Sequence, residues 1–211
     1  MDIGIVGAGM IGGTLGGLWL RAGHRVHFGT RHPDTLHRLV EQAPTLARAG
    51  TPGEAAAFGD VVLISVPLLA VADLARSIGT LVVGKPVLDA CNAYPGRDGR
   101  LATEATSYPG GSSAWVASHL SGAQVVKAFN TVYFRTLQSE AHRPGDRLGI
   151  PLAGDDAEAV TKAEVLVRDA GFTPVHIGGL AEGQAIEPGT PAYNSGMSAS
   201  ELARSFGVAQ R

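Results

Sequence analysis

The chain reads as an α/β protein: a doubly wound parallel sheet followed by a small C-terminal extension. Three observations predict this. Strand-like and helix-like segments alternate along most of the 211 residues, the strand-like runs are continuously apolar, and the first of them enters a glycine-rich turn that opens a helix. A run such as Val61-Val62-Leu63-Ile64-Ser65-Val66 has no polar face. It therefore suits a strand buried on both sides, as a parallel sheet covered by helices requires, with right-handed crossovers between strands.

Each element follows in order. Ile3, Ile5 and Val6 form the first strand, Gly7-Ala8-Gly9-Met10-Ile11-Gly12 the turn, and residues 10–21 a helix. A second strand over 25–28 begins after Ala22-Gly23-His24. Residues 34–49 read as a helix, with Pro33 near its first turn and Gly50 past its end. The apolar run at 61–66 stops at Pro67, which stands near the start of a helix over 68–78. A strand over 87–90 precedes a loop in which Pro95-Gly96-Arg97-Asp98-Gly99 is a turn cluster. A helix over 113–120 and a strand over 124–128 come next, then a short strand over 150–153. Asp155 or Asp156 caps a helix running to residue 170, with Val160, Ala163, Leu166, Val167 and Ala170 on one face and Gly171 at its C′ position. After a strand over 173–177 the pattern weakens: 181–186 is helix-like, 187–191 a loop, and 198–206 a short final helix. The expected division is a dinucleotide-binding domain over 1–178 and an extension over 179–211 that closes the substrate side.

Bulk properties exclude several classes. A net charge of −2 gives no electrostatic footprint for nucleic acid or an anionic membrane surface. The single cysteine excludes an intrachain disulfide and fits a reducing compartment. With no apolar run of membrane-spanning length and a strand in place of a leader at the N-terminus, the expectation is a soluble cytoplasmic protein.

The turn carries the chemistry. Three glycines at the GxGxxG spacing serve a tight turn, close approach of a pyrophosphate to backbone, and close packing of helix on strand, while the N–H groups of the helix's first turn face the anion. A site for NAD places an acidic residue about 20 positions on, to accept from the ribose 2′-hydroxyl. Here no Asp or Glu occurs between Gly12 and Asp34; instead Thr30 and Arg31 follow the second strand, with His32 beside them. A hydroxyl and a guanidinium suit the 2′-phosphate of NADP. Ligands of open parallel sheets lie outside the carboxyl ends of the strands, where the chain offers Ser65-Val66-Pro67-Leu68, Cys91-Asn92-Ala93 and Phe129-Asn130-Thr131. Asn92 and Asn130 can orient a carboxamide or a substrate carbonyl, or else satisfy loop backbone. Cys91 follows a buried strand and reads as a small hydrophobe. His24, His27, His32 and His37 have neither metal-ligand spacing nor converging carboxylates, so no metal site is expected. The serines lack a GxSxG elbow.

With these residues in view, the chain resembles the NADPH-dependent reductases of the 8-hydroxy-5-deazaflavin coenzyme (coenzyme F420), a superfamily shared with the NADPH domain of the membrane metalloreductases. The resemblance rests on GIVGAGMIGGTLGGLWLRAGHRVHFGTRHP, VVLISVP, VVKAFNT and PLAGDDAEA, and covers essentially the whole chain. It implies that Gly7, Gly9, Met10, Ile11 and Gly12 hold the pyrophosphate, Thr30 and Arg31 the 2′-phosphate, and Ser65, Val66 and Pro67 the ribose side, with Asn92, Ala128 and Asn130 by the nicotinamide. It further implies hydride transfer between NADP(H) and a deazaflavin or flavin acceptor, catalysis by ring alignment with no obligatory acid or base, and a homodimer. Ala128-Phe129-Asn130-Thr131 and Asp89-Ala90-Cys91-Asn92-Ala93-Tyr94 depart from the family pattern, and both lie in the half of the pocket that receives the acceptor. Two rival readings are reduction of a small carbonyl or imine, with Asn130 or Tyr94 as hydrogen-bond donor, and a non-catalytic NADPH sensor whose nicotinamide face is covered.

Overall fold

The structure, a computed structural model, describes residues 1–41 and 43–209. Gln42 and residues 210–211, which fall in the expected 34–49 helix and the C-terminal extension, lie outside them. The elements run β1 (Asp2–Val6), α1 (Met10–Arg21), β2 (Arg25–Gly29), α2 (His37–Glu41), β3 (Ala47–Gly50), α3 (Pro52–Phe58), β4 (Val61–Ile64), α4 (Val71–Ile78), β5 (Pro86–Asp89), α5 (Pro95–Asp98), α6 (Arg100–Thr106), α7 (Gly111–His119), β6 (Gln124–Lys127), α8 (Phe134–Glu140), β7 (Gly149–Gly154), α9 (Ala157–Asp169), β8 (Thr173–Gly178) and α10 (Ala199–Phe206). Among the described residues the strands form one sheet in the order β3-β2-β1-β4-β5-β6-β7-β8. Its first six positions have the 3-2-1-4-5-6 order of a dinucleotide-binding sheet, so the α/β doubly wound, Rossmann-like class is the observed one.

Burial follows the two-residue period of a strand. On β4, Val61 and Leu63 enter one core while Val62 and Ile64 enter the other. The first core packs against α1, α8 and α9 and the second against α3, α4, α6 and α7. The Trp19 indole N–H of α1 donates to the Leu166 carbonyl of α9 at 2.8 Å, a buried bond that ties two helices of one face. Asp156, not Asp155, caps α9 by accepting from the Ala159 N–H at 2.8 Å. A third, smaller core gathers Val175, Ile186 and Leu202 under the C-terminal extension.

Three expectations need correction. The 34–49 helix breaks into a 3-10 turn over Pro33–Leu36, the short α2, and then β3. Pro44 has no N–H for a continuing helix, and the alanine-rich stretch after it pairs with β2 from Val26↔Ala47 to Gly29↔Gly50. The sheet is also not parallel throughout. β1 to β6 are parallel, but β7 pairs antiparallel with β6, Gly154 opposite Val126 and Ala153 opposite Lys127. That register makes β7 start beyond the carboxyl end of β6 and run back, with β8 parallel to it. Finally, the turn cluster at 95–99 contains α5, with Pro95 at its first position, and leads into α6; α8 is a further helix that the sequence pattern did not single out.

Candidate functional site

β1 delivers its last residue, Val6, to the carboxyl edge, and Gly7 turns the chain with φ of 98°. A Cβ on Gly7 would lie 2.3 Å from the Ser65 carbonyl oxygen, and one on Gly12 would lie 2.2 Å from the Gly7 carbonyl oxygen. No side chain is tolerated at either place, so the backbone of α1 sits hard against β1 and β4. Gly9 is different: its missing side chain faces open space. As the N-cap of α1 it supplies no side-chain acceptor, and the first turn contains no acidic residue. The first-turn N–H groups therefore point outward without a side-chain partner, at the positive end of a twelve-residue helix.

In front of this turn lies a cleft of about 570 Å³, bounded by Gly7 and Gly9, by Thr30 and Arg31 after β2, and by Ser65, Val66 and Pro67 after β4. The segment after β2 is an ordered turn. The Thr30 N–H donates to the Gly50 carbonyl at 3.0 Å, the His32 N–H to Thr30 Oγ1 at 3.3 Å, and the Thr35 hydroxyl to the His32 carbonyl at 2.7 Å. It presents Arg31, an exposed residue with no ion-pair partner among the described residues, to the cleft. Uncapped N–H groups at one end and an unpaired guanidinium at the other can hold two separate phosphate groups. Of the other residues proposed from sequence, Met10 and Ile11 open α1, Gly12 is buried beneath the turn, and His32 is exposed at its edge.

Asn92, Ala128 and Asn130 stand elsewhere. Ala128 is wholly buried, and the two asparagines are nearly so. Asn92 Nδ2 donates to the Asn130 carbonyl at 2.8 Å, and Asn130 Nδ2 donates to Asn92 Oδ1 at 3.2 Å and to the Ile186 carbonyl at 2.7 Å. The pair bolts the ends of β5 and β6 to the C-terminal extension and to each other. Between them Phe129 has φ of 60°, a left-handed conformation unusual for an aromatic residue. Its buried ring packs edge-on against Trp19 at 5.9 Å, which anchors that strain. The extension adds a hydroxyl contact from Tyr193 to Tyr94 and a bond from the Asn194 N–H to the Thr131 carbonyl at 2.8 Å. Burial first, and the neighbouring Tyr94 second, push the Tyr193 phenol well above its ordinary pKa, so it stays protonated at neutral pH.

Below this lies a buried polar cluster that the sequence reading missed. Lys127 is fully buried at the end of β6, its ammonium 4.0 Å from the Asp89 carboxylate at the end of β5. It donates to Ser112 Oγ at 3.1 Å and Ser113 Oγ at 2.8 Å, and the Ser113 hydroxyl donates to Asp89. Asp89 also accepts from the Cys91 N–H at 2.9 Å, and Glu187 of the extension accepts from the Ser112 N–H at 2.7 Å. The available signal was one acidic and one basic residue at the ends of two apolar strands that the fold sets side by side. Cys91 is buried beside it, and burial first, then the Asp89 charge, push its thiol well above the usual range, which leaves it unreactive. The histidines disperse: His24 pairs with Asp169 at 2.9 Å, while His27 lies against Phe58.

Residues 2–93 match the family model described as NADP oxidoreductase coenzyme F420-dependent. Over 185 residues the chain is 29% identical to the metalloreductase STEAP3 of Rattus norvegicus, a match that covers 88% of this chain and 35% of that protein. A second curated relative, the Escherichia coli protein YjhV, is 38% identical over 65 residues, 31% of this chain and 47% of its own. The chain thus spans between a third and a half of the curated relatives it matches. Among solved structures, hypothetical protein SMa0349 of Sinorhizobium meliloti superposes with a TM-score of 0.77 at 27% identity, covering 92% of this chain and 93% of that one. A proposed F420-dependent NADP-reductase of Arthrobacter sp. FB24 gives 0.72 at 18% identity, over 100% and 96% of the two chains, a likeness that speaks to fold alone. The matched segment contains the glycine turn, the Thr30-Arg31 turn and the β4 edge, the three walls of the cleft; over residues 2–93 the chain is similar to the NADP oxidoreductases of the coenzyme F420-dependent family.

Proposed function

We propose that this protein is an oxidoreductase that moves hydride between NADP(H) and a deazaflavin or flavin acceptor. The observation that carries the reading is the cleft that joins an uncapped helix start to an unpaired Arg31. Those residues fit the cofactor: the backbone N–H groups of Gly9, Met10 and Ile11, approached over the bare surface of Gly9, take the pyrophosphate, while Gly7 and Gly12 let the turn pack closely beneath it. Thr30 and Arg31, with His32 at the edge, take the 2′-phosphate, and Ser65, Val66 and Pro67 line the ribose side. When bound, NADPH supplies the hydride. The chain's own work is to hold the cofactor and to shape the acceptor side. Asn92 and Asn130, with Ala128 packed beneath, fix the ends of β5 and β6, and the 179–211 extension closes over them through Ile186 and Tyr193. No side chain need act as acid or base for transfer between aligned rings.

The test is anaerobic mixing of protein, NADPH and coenzyme F420, following the visible band of the deazaflavin. Bleaching with NADPH and not with NADH supports the reading. Binding of NADPH without bleaching refutes the deazaflavin acceptor. It would favour a second reading, reduction of a small carbonyl or imine, for which the contact between the Tyr94 and Tyr193 hydroxyls, with the Tyr193 phenol held protonated by burial, is the specific support.

A further inference from the structure

The cleft does not end at Arg31. It continues onto α4 and the turn before it, where Ala70, Asp73, Leu74 and Ser77 line it together. Their spacing of three, four and seven residues puts all four side chains on one helical face. Leu69 and Pro52 line the same stretch. It is thus a slot with largely apolar walls and two polar groups, one turn apart, along the α4 rim.

Thr30 and Arg31 fix what enters this slot, an argument that rests on the cofactor reading above. The 2′-phosphate sits on the ribose that carries the base, so the base lies within one sugar's reach of Arg31. The pyrophosphate turn occupies the other direction. We propose that Asp73 reads the exocyclic amine of the adenine base, with Ser77 as a second acceptor, so that the slot selects adenine over a base with a carbonyl at that position. An amine donates and an ionised carboxylate only accepts, so the match is one of kind. Asp73 is already paired with Arg76, but a carboxylate has two oxygens and about four lone pairs, so one partner does not exhaust it. The Ser77 hydroxyl donates to the Leu74 carbonyl at 2.7 Å, which leaves its own lone pairs to accept. A base carrying oxygen in place of the amine sets an acceptor against a carboxylate.

Calorimetric titration of the full chain with NADPH and with its hypoxanthine analogue, in which that amine is a carbonyl, tests the proposal without reference to turnover. The unmodified protein is expected to bind NADPH about 5- to 20-fold more tightly than the analogue, the size of one charge-assisted hydrogen bond at a partly exposed site. Asp73→Asn carries an amide that accepts from the amine or donates to the carbonyl, so the two ligands should then bind within about twofold of each other. Ser77→Ala should narrow the gap by less. Equal binding of both ligands by the unmodified protein overturns the proposal, as does discrimination that survives Asp73→Asn. Those results leave the cofactor reading standing, whereas failure to bind NADPH at all defeats both.

Discussion

Beside the carboxyl ends of β1, β2 and β4, the first-turn N–H groups of α1 have no side-chain cap and the Arg31 guanidinium has no ion-pair partner among the described residues; at the ends of β5 and β6 polar side chains turn inward and pair with one another. In the first region the working surface is backbone, the N–H groups of α1, and one free guanidinium. In the second it is side chains, with Lys127, Asp89, Ser113, Asn92 and Asn130 all buried. A surface of fixed N–H groups is ready for an anion and pays no reorganisation on binding. The inward-facing groups instead fix the ends of β5 and β6 and contribute to stability through the bonds they make to one another, with Asn130 Oδ1 left without a partner among them. The contrast predicts that damage to the second region is felt as unfolding, and damage to the first as lost cofactor.

The largest effect is expected at Lys127. Lys127→Met strands the Asp89 carboxylate in a site with no solvent, which costs about 3–5 kcal/mol of stability in urea unfolding. The double variant Lys127→Met with Asp89→Asn should recover most of that loss, because it removes the uncompensated charge. If the single variant is as stable as the parent, Lys127 does not compensate a buried Asp89 charge. Gly7→Ala reverses the emphasis. Its positive φ and the contact with Ser65 cost roughly 1–3 kcal/mol of stability, but the main readout is loss of NADPH binding by titration, since the turn must shift. Arg31→Ala should leave thermal unfolding unchanged, weaken NADPH by about 1–3 kcal/mol, and leave NADH nearly untouched. Equal losses for both nucleotides would remove Arg31 from the phosphate clamp.

The same contrast explains what could be read from the chain alone. The first region was legible because its chemistry lies in two short contiguous runs, 7–12 and 30–31, whose residue types are dictated by backbone geometry and charge. The boundaries of α1 were likewise set by Gly9 and by the turn after Arg21. The second region is assembled from residues far apart, as when Ser113 meets Asp89 and Ile186 meets Asn130, and no local pattern announces such pairs. Strand direction was equally hidden. An apolar run such as 150–153 is the same sequence whether it runs with its neighbour or against it, and only the register opposite Val126 and Lys127 decides. β3 was lost to a different cause: Ala43, Ala47 and Ala49 favour a helix locally, but Pro44 and the free edge of β2 won.

Asp98 joins the two regions and gives the smallest expected effect. Its carboxylate accepts from the Tyr94 N–H at 2.9 Å on the β5 side and from the Leu69 N–H at 3.4 Å at the rim of the cleft. Arg97 binds it as well, at 2.9 Å. Burial alone would raise its pKa, but the bonds from Arg97, Tyr94 and Leu69 outweigh burial and hold it below the ordinary carboxylate value. A carboxyl group depressed in the folded state contributes stability that is full above its unfolded pKa and is lost as the pH falls through the folded one. The contribution should therefore be constant at neutral pH and fade below about pH 4, where an unfolded aspartate takes up its proton. In urea titrations across that range, Asp98→Asn should flatten the acid limb of the stability curve. It should also loosen the β4-to-α4 turn enough to weaken NADPH slightly, because one of the two acceptor oxygens that Leu69, Tyr94 and Arg97 share becomes an NH2 donor. An acid limb identical to the parent's would mean that the carboxylate does not couple the open region to the closed one, and that the two are independent halves of one edge.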